Sequence, residues 1–268
     1  MFRERLQGDA PVVRPTLPRA VTTTDLWKAA AIVLVLVDHY GLYFVAEPAP
    51  WRLLGRTAAP VFFFLIGFAR AGRTPWSWIV LGAALTAERM LTEPAPGDQF
   101  GNILLSFALL RLLILPAVRE WVMPSPWRVA ALILAWTALI PWTKPLLEYG
   151  TEGWLWAFFG LAHRLAGESG GPRAVWARNT LALSAGTAWV IGETANFAFG
   201  PPQAAILSFL VGALAWALCG FRRETFPRQP PEPAAAILRF AGRWTLEIYA
   251  LTLFGMHVLA YAIAKGWM

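Results

Sequence analysis

Apolar residues fall in long, nearly uninterrupted runs along this chain, broken by a few clustered polar positions. Runs of roughly 17 to 25 apolar residues are the length that crosses a hydrocarbon layer as helix. With short runs admitted, the pattern predicts nine helices, near 27–46, 57–72, 76–91, 101–119, 127–143, 152–166, 177–199, 203–221 and 244–264. Helix breakers stand between them: Pro48 and Pro50, Pro94 to Gly97, Pro124 to Pro126, Gly167 to Pro172, Pro201 with Pro202, and a Pro-rich loop at 227–233. The predicted fold class is all-α: a polytopic integral membrane protein with about nine transmembrane helices in one bundle.

Composition narrows this further. With 57% hydrophobic and 15% charged residues, the chain is unlike a soluble domain. Cys219 is the single cysteine, so no internal disulfide forms, and no Cys/His cluster has zinc spacing, so no metal is expected. Residues 1–25 carry Arg3, Arg5, Arg14 and Arg19 among prolines without a continuous apolar stretch. They read as a flexible basic cytoplasmic tail rather than a cleaved signal, leaving 26–268 as one membrane domain.

Basic residues orient the bundle. With the N-terminus cytoplasmic, one side collects Arg70, Arg73, Arg119, Arg128, Arg164, Arg173, Arg178, Arg222, Arg223, Arg228, Arg239 and Arg243. The other keeps Arg52, Arg56, Arg89, Lys144 and Lys265. Topology therefore accounts for the net charge of +7, and no nucleic-acid partner is expected. The predicted location is a bacterial inner membrane, with membrane lipid as partner and the C-terminus periplasmic.

One pair stands out. Asp38 and His39 lie two-thirds of the way along the first span, and ionisable groups at membrane depth persist where protein or a water-filled cavity solvates them. Arg56, Asn102, Tyr149, Glu152, Glu193, Asn196 and His257 fall at a similar level near the outer side, which one pocket would explain. Capping and interhelix bonding explain Asn102 and Asn196 equally well, as does pairing of Glu193 with Arg56 or Arg89.

Lys28 and His39 are 11 residues apart, which places them on one helix face about 16 Å from each other. A cation near the inner surface suits a phosphate-bearing donor, and an imidazole deeper in suits proton transfer. Lys28 is otherwise an interfacial snorkelling anchor. His39 beside a carboxylate has the makings of an oriented general base. His257 is either a second substrate-contacting group or an interhelix donor, and His163 reads as interfacial. Arg111, inside the fourth span, either meets an anionic donor or pairs with a carboxylate such as Glu247.

Several segments together resemble the TraX-like membrane proteins, whose members are proposed to N-acetylate conjugative pilin and which are similar to a wider group of integral-membrane acyltransferases. These are Leu26-Trp27-Lys28 through Asp38-His39-Tyr40-Gly41, Leu54-Gly55-Arg56-Thr57-Ala58-Ala59-Pro60-Val61-Phe62, Gly101-Asn102-Ile103-Leu104-Leu105 and Glu148-Tyr149-Gly150-Thr151-Glu152-Gly153. Two departures stand beside them. Lys28 occupies a place where many relatives carry Arg, and Phe254-Gly255-Met256-His257 lacks a Tyr-Pro before its histidine, which leaves the role of His257 open.

The resemblance implies an acetyltransferase drawing on cytoplasmic acetyl-CoA as co-substrate and delivering to an amine or hydroxyl on a protein, glycan or lipid. It implies His39 as catalytic and Lys28 on the donor. Added to the residues' own pattern, this gives a site in which His39 takes the acceptor proton or transiently carries acetyl, Asp38 orients it, Arg111 joins Lys28 on the donor, and Arg56, Asn102, Tyr149, Glu152 and His257 are expected at the acceptor, with Arg56 or Asn102 stabilising the oxyanion. Two other classes remain open: a non-catalytic scaffold or anchor subunit, and a proton-coupled transporter using Asp38, His39 and Glu193.

Overall fold

Thr22 opens the first helix with a reciprocal cap. Its hydroxyl accepts from the Asp25 backbone N–H at 3.2 Å while the Asp25 carboxylate accepts from the Thr22 N–H at 2.9 Å. The computed structural model describes residues 20–70, 76–92 and 101–266, and among these every regular element is helical. In order they are α1 (Thr23–Phe44), α2 (Ala49–Gly55), α3 (Ala58–Phe68), α4 (Trp76–Thr92), α5 (Ile103–Leu109), α6 (Leu115–Ala117), α7 (Pro126–Ala138), α8 (Ile140–Thr143), α9 (Gly150–Ser169), α10 (Pro172–Asn196), α11 (Pro201–Cys219), α12 (Glu232–Arg243) and α13 (Thr245–Ala264). Widened π turns at Leu110–Ile114 and Val118–Val122 flank α6 around Pro116, which lacks the N–H that regular helix would use.

Each of the nine predicted stretches holds helix, but four helical segments are long and apolar enough to cross a membrane: Thr23–Phe44, Ala49–Phe68, Pro201–Cys219 and Thr245–Ala264. The count of nine spans is not established. The 127–143 stretch is split between α7 and α8, the 101–119 stretch is interrupted by π turns, and α4 stops at 17 residues. Long enough for a span, α9 and α10 are diluted by Trp, Gly and charged residues.

Such dilution is tolerable because α9 is the bundle's axis and does not face lipid. Trp156, Phe158, Phe159 and Leu155 on it are fully buried, between α3 on one side and α10 on the other. Glycines set the α3–α9 spacing. A Cβ on Gly67 would strike the Ala157 carbonyl, and one on Gly160 the Phe64 carbonyl, so the two backbones touch where side chains would hold them apart. Large apolar side chains face outward on the periphery, with Phe209 74% and Trp216 81% exposed on α11 and Leu251 71% exposed on α13. That is a lipid-facing surface.

Two expectations meet a different structure. The 222–243 loop contains α12, which begins at a Pro-Glu-Pro start signal and packs against α1 so closely that a Cβ on Gly242 would lie 2.6 Å from the Asp25 Cα. Of the basic tail, residues 1–19 lie outside the described residues, whereas Val21 is fully buried and the Thr23 N–H donates to the Glu224 carbonyl at 2.9 Å. The start of α1 is thus tied to the segment leading into α12.

Candidate functional site

Asp38, 2% exposed near the C-terminal end of α1, sits at the head of a buried ionic network. Arg52 on α2 donates to its Oδ2 at 2.9 Å. Arg56, at the α2–α3 junction, donates to Oδ1 from Nε at 3.2 Å, donates to Oδ2 from Nη2, and reaches Glu193 of α10 from Nη1 at 3.4 Å. Lys144, just after α8, pairs with Glu193 at 3.0 Å and with Glu152 of α9 at 3.1 Å. Three carboxylates thus meet three cations, the balance a low-dielectric interior demands.

Backbone shape makes this approach possible. Gly55 faces Asp38, and a Cβ there would lie 2.5 Å from Oδ1 and 2.7 Å from the Asp38 Cα. Tyr149 adopts a left-handed φ of 64° before Gly150 at 42°, a strained pair that turns the chain into α9. It seats the Tyr149 ring against Trp189 at 5.2 Å and beneath the Arg56 guanidinium at 5.5 Å. Phe197 offers both arginines a second aromatic face, 4.7 Å from Arg52 and 4.9 Å from Arg56.

His39 does not take its orientation from Asp38. Neighbours on a helix point about 100° apart, and the Asp38 oxygens are occupied by the arginines. Instead His39 Nδ1 lies 2.8 Å from the Val35 carbonyl. A carbonyl only accepts, so Nδ1 carries the proton and Nε2 keeps the lone pair. The ring stands 6.3 Å from Tyr43 and 6.2 Å, edge-on, from Tyr249 of α13. A cavity of about 20 Å³, room for one water, adjoins it. Phe62, Phe107 and Leu246 form its apolar walls, and Asp38, His39, Glu148, Tyr149 and Tyr249 contribute polar groups. The buried Tyr249 hydroxyl has no hydrogen-bond partner among the described residues.

Of the residues expected at one pocket, Asp38, His39 and Tyr149 line this cavity, and Arg56 reaches it through Asp38. Glu152 sits behind Glu193 and touches the network rather than the cavity. Asn102 is a helix cap: its Oδ1 accepts from the Leu104 N–H at 3.0 Å and its Nδ2 donates to the Gly82 carbonyl at 2.6 Å. Asn102 spends both Nδ2 protons on the Gly82 carbonyl and the Thr86 hydroxyl, and Arg56 directs Nε, Nη1 and Nη2 at Asp38 and Glu193. His257 pairs with Glu88 at 2.9 Å and stacks on Tyr43 at 5.7 Å, one ring removed from His39.

A second cavity, about 260 Å³, opens toward the other end of α1. Lys28, Arg243 and Glu247 line it together with Trp78, and it shares Phe62, Phe107 and Leu246 with the His39 cavity. Arg111 lies beyond Trp78, its guanidinium 5.8 Å from that ring and donating to the Arg70 carbonyl at 3.2 Å. It does not pair with Glu247. Among the described residues, no group of three His, Cys, Asp or Glu side chains converges as a metal site.

Tyr249 and Arg52 were not anticipated from the sequence. Thr245, Tyr249 and His257 recur at multiples of four along α13, all buried, so a polar stripe on an apolar helix was there to be read. Arg52 gave no such signal.

The family model described as "TraX protein" matches residues 23–223. A protein of Rickettsia prowazekii (strain Madrid E), described as "Uncharacterized protein RP591", is 31% identical over 132 residues, 47% of this chain and 50% of the relative. The chain therefore spans about half the length of the curated relative it matches. No solved structure matches.

Proposed function

The chain belongs to the TraX protein family, and on that premise we propose that it is a membrane-embedded acyltransferase moving an acetyl group from acetyl-CoA to an acceptor amine or hydroxyl. The observation that carries this is the pair of adjoining cavities. A larger one lined by Lys28, Arg243 and Glu247 meets a small one holding His39 across a shared wall of Phe62, Phe107 and Leu246. An anionic donor with a long thin arm fits such a path, with its thioester reaching the wall.

In this reading the acceptor's nitrogen or oxygen attacks the acetyl carbon while His39 Nε2 takes its proton. The new C–N or C–O bond forms, the C–S bond breaks, and the thiolate leaves with the proton returned by His39. The Tyr249 hydroxyl, buried and unpartnered, donates to the oxygen that becomes negative. Asp38 and Arg56 hold α1, the α2–α3 junction and α10 together around that site, a positioning role. The acceptor is a protein, glycan or lipid. In this reading the bundle spans a bacterial inner membrane about nine times, with the Lys28 end and N-terminus cytoplasmic and the C-terminus periplasmic.

The test is transfer of labelled acetyl from acetyl-CoA in membranes supplied with an acceptor pool. His39→Ala should abolish transfer in a protein that still inserts, whereas Lys28→Ala should raise the acetyl-CoA requirement with kcat less affected. Undiminished transfer by the His39 variant would sink the assignment. The ring series from His39 through Tyr43 to the His257–Glu88 pair favours one second reading, a proton-coupled transporter. Proton uptake by liposomes, lost in His257→Ala, would mark it.

A further inference from the structure

A third cavity, about 730 Å³, lies at the same end of the bundle as Lys28, away from His39. It is bounded by the C-terminal ends of α3, α9 and α11 and by the first turns of α10. Among the described residues, Arg70, Arg164, Arg178, Arg222 and Arg223 line it against a single carboxylate, Glu168. Five guanidinium groups and one carboxylate leave an excess of four positive charges (5 − 1 = 4) on one concave surface.

Positive-inside bias explains basic residues in loops, but not their state here. Arg164 is 9% exposed, its Nε is buried without a hydrogen-bond partner among the described residues, and its contact with Glu168 is a long 3.7 Å. Arg70 reaches the same carboxylate at 3.6 Å. Both separations exceed hydrogen-bond length, so Glu168 leaves the guanidinium donors largely unused. His163 donates from Nε2 to the Phe221 carbonyl at 2.7 Å, and its Nδ1 is buried with no partner among the described residues. A buried guanidinium N–H left without an acceptor is costly unless something occupies it. Beneath these groups Phe68 and Phe221 meet edge-to-face at 4.9 Å, an aromatic floor under a cationic rim.

We propose that this cavity binds a phosphate ester carried on an apolar or aromatic body. Planar guanidinium forks suit phosphate oxygens bidentately, and the aromatic floor suits an acyl chain or a purine. The volume lies within the range of sites that hold ligands of that size. Two sources share this chemistry: an anionic glycerophospholipid of the adjacent leaflet, and a soluble adenine nucleotide such as the phosphorylated end of a coenzyme A thioester. The proposal stands whether or not His39 transfers an acyl group, because no part of its test uses transfer.

The full chain is reconstituted in phosphatidylcholine nanodiscs and titrated by calorimetry with adenosine 3′,5′-bisphosphate. In a second arm, nanodiscs containing phosphatidylglycerol are compared with phosphatidylcholine alone, reading lipid retained on the protein by native mass spectrometry. At least one ligand should bind, and Arg164→Gln and Arg222→Gln should each weaken it about tenfold or more, the loss of one charge-assisted contact. Nucleotide binding identifies the soluble source, and selective retention of phosphatidylglycerol identifies the lipid. Arg222 is exposed, so Arg222→Gln keeps the test decisive if the Arg164 variant fails to fold. Binding of neither ligand, or binding undiminished in a folded Arg222→Gln protein, would overturn the proposal.

Discussion

Replacing Arg56 by Met tests whether the ionic network holds the bundle together. The side chain is 8% exposed and makes two contacts with Asp38 and one with Glu193, so its loss strands charge in a low-dielectric interior. Breaking a buried ion pair by removing one partner costs about 3–5 kcal/mol. Asp38 keeps Arg52 at 2.9 Å and Glu193 keeps Lys144 at 3.0 Å, which places the cost near the lower figure. For a chain of this size about 3 kcal/mol corresponds to a fall of about 6–12 °C in melting temperature. The assay is a thermal melt in detergent of Arg56→Met, Asp38→Asn and the double variant. Neutralising Asp38 as well removes much of the stranded charge, so the double variant should melt higher than additivity allows, with a coupling of about 0.5–3 kcal/mol. A shift under about 2 °C for Arg56→Met, the size of an ordinary surface change, would refute the reasoning.

Other outcomes follow from single contacts. Gly55→Ala should destabilise by about 1–3 kcal/mol in the same melt, because its Cβ has no room beside Asp38; an unchanged melt would show that α2 can yield there. Tyr249→Phe should lower kcat for acetyl transfer about 10²–10³-fold while leaving the melt unchanged or higher, since the hydroxyl it removes is unpartnered; a lower melt with intact kcat would assign it a structural role. A reporter active only in the periplasm should give signal when fused at residue 268 and none at residue 228; signal at 228 would overturn the predicted orientation.

Helices were legible from the apolar runs because lipid obliges every backbone group to bond within its own segment. Their status was not. Whether α9 faces lipid or the bundle axis depends on Gly67 and Gly160 meeting backbone across an interface, and one sequence does not record which backbones meet. The amphipathic α12 went unseen because the prolines around 227–233 read as loop, although Pro231-Glu232-Pro233 is also a helix start. At the site, the Asn102 cap was readable from a side-chain acceptor placed before Ile103-Leu104-Leu105. The partner of Asp38 was not, because adjacency to His39 suggested a pair that helical rotation separates. Arg52 arrives only because the chain turns back after Phe44 into a seven-residue helix.

That separation bears on where chemistry can sit. The six charge-paired groups that join α1, α2, α9 and α10 in a low-dielectric interior are held there by the cost of breaking any one pair, so they fix geometry. A neutral imidazole and a phenol carry no such obligation. His39, with Nδ1 committed to the Val35 carbonyl, can gain and lose a proton at Nε2 without breaking an ion pair, and Tyr249 can turn its O–H toward a new acceptor at little cost. Any imidazolium formed at His39 is flanked by the apolar walls Phe62, Phe107 and Leu246, and the neighbouring Asp38 carboxylate that would stabilise it is already shared by two arginines. Such a site favours a proton held only briefly, passed from acceptor to leaving group within one encounter.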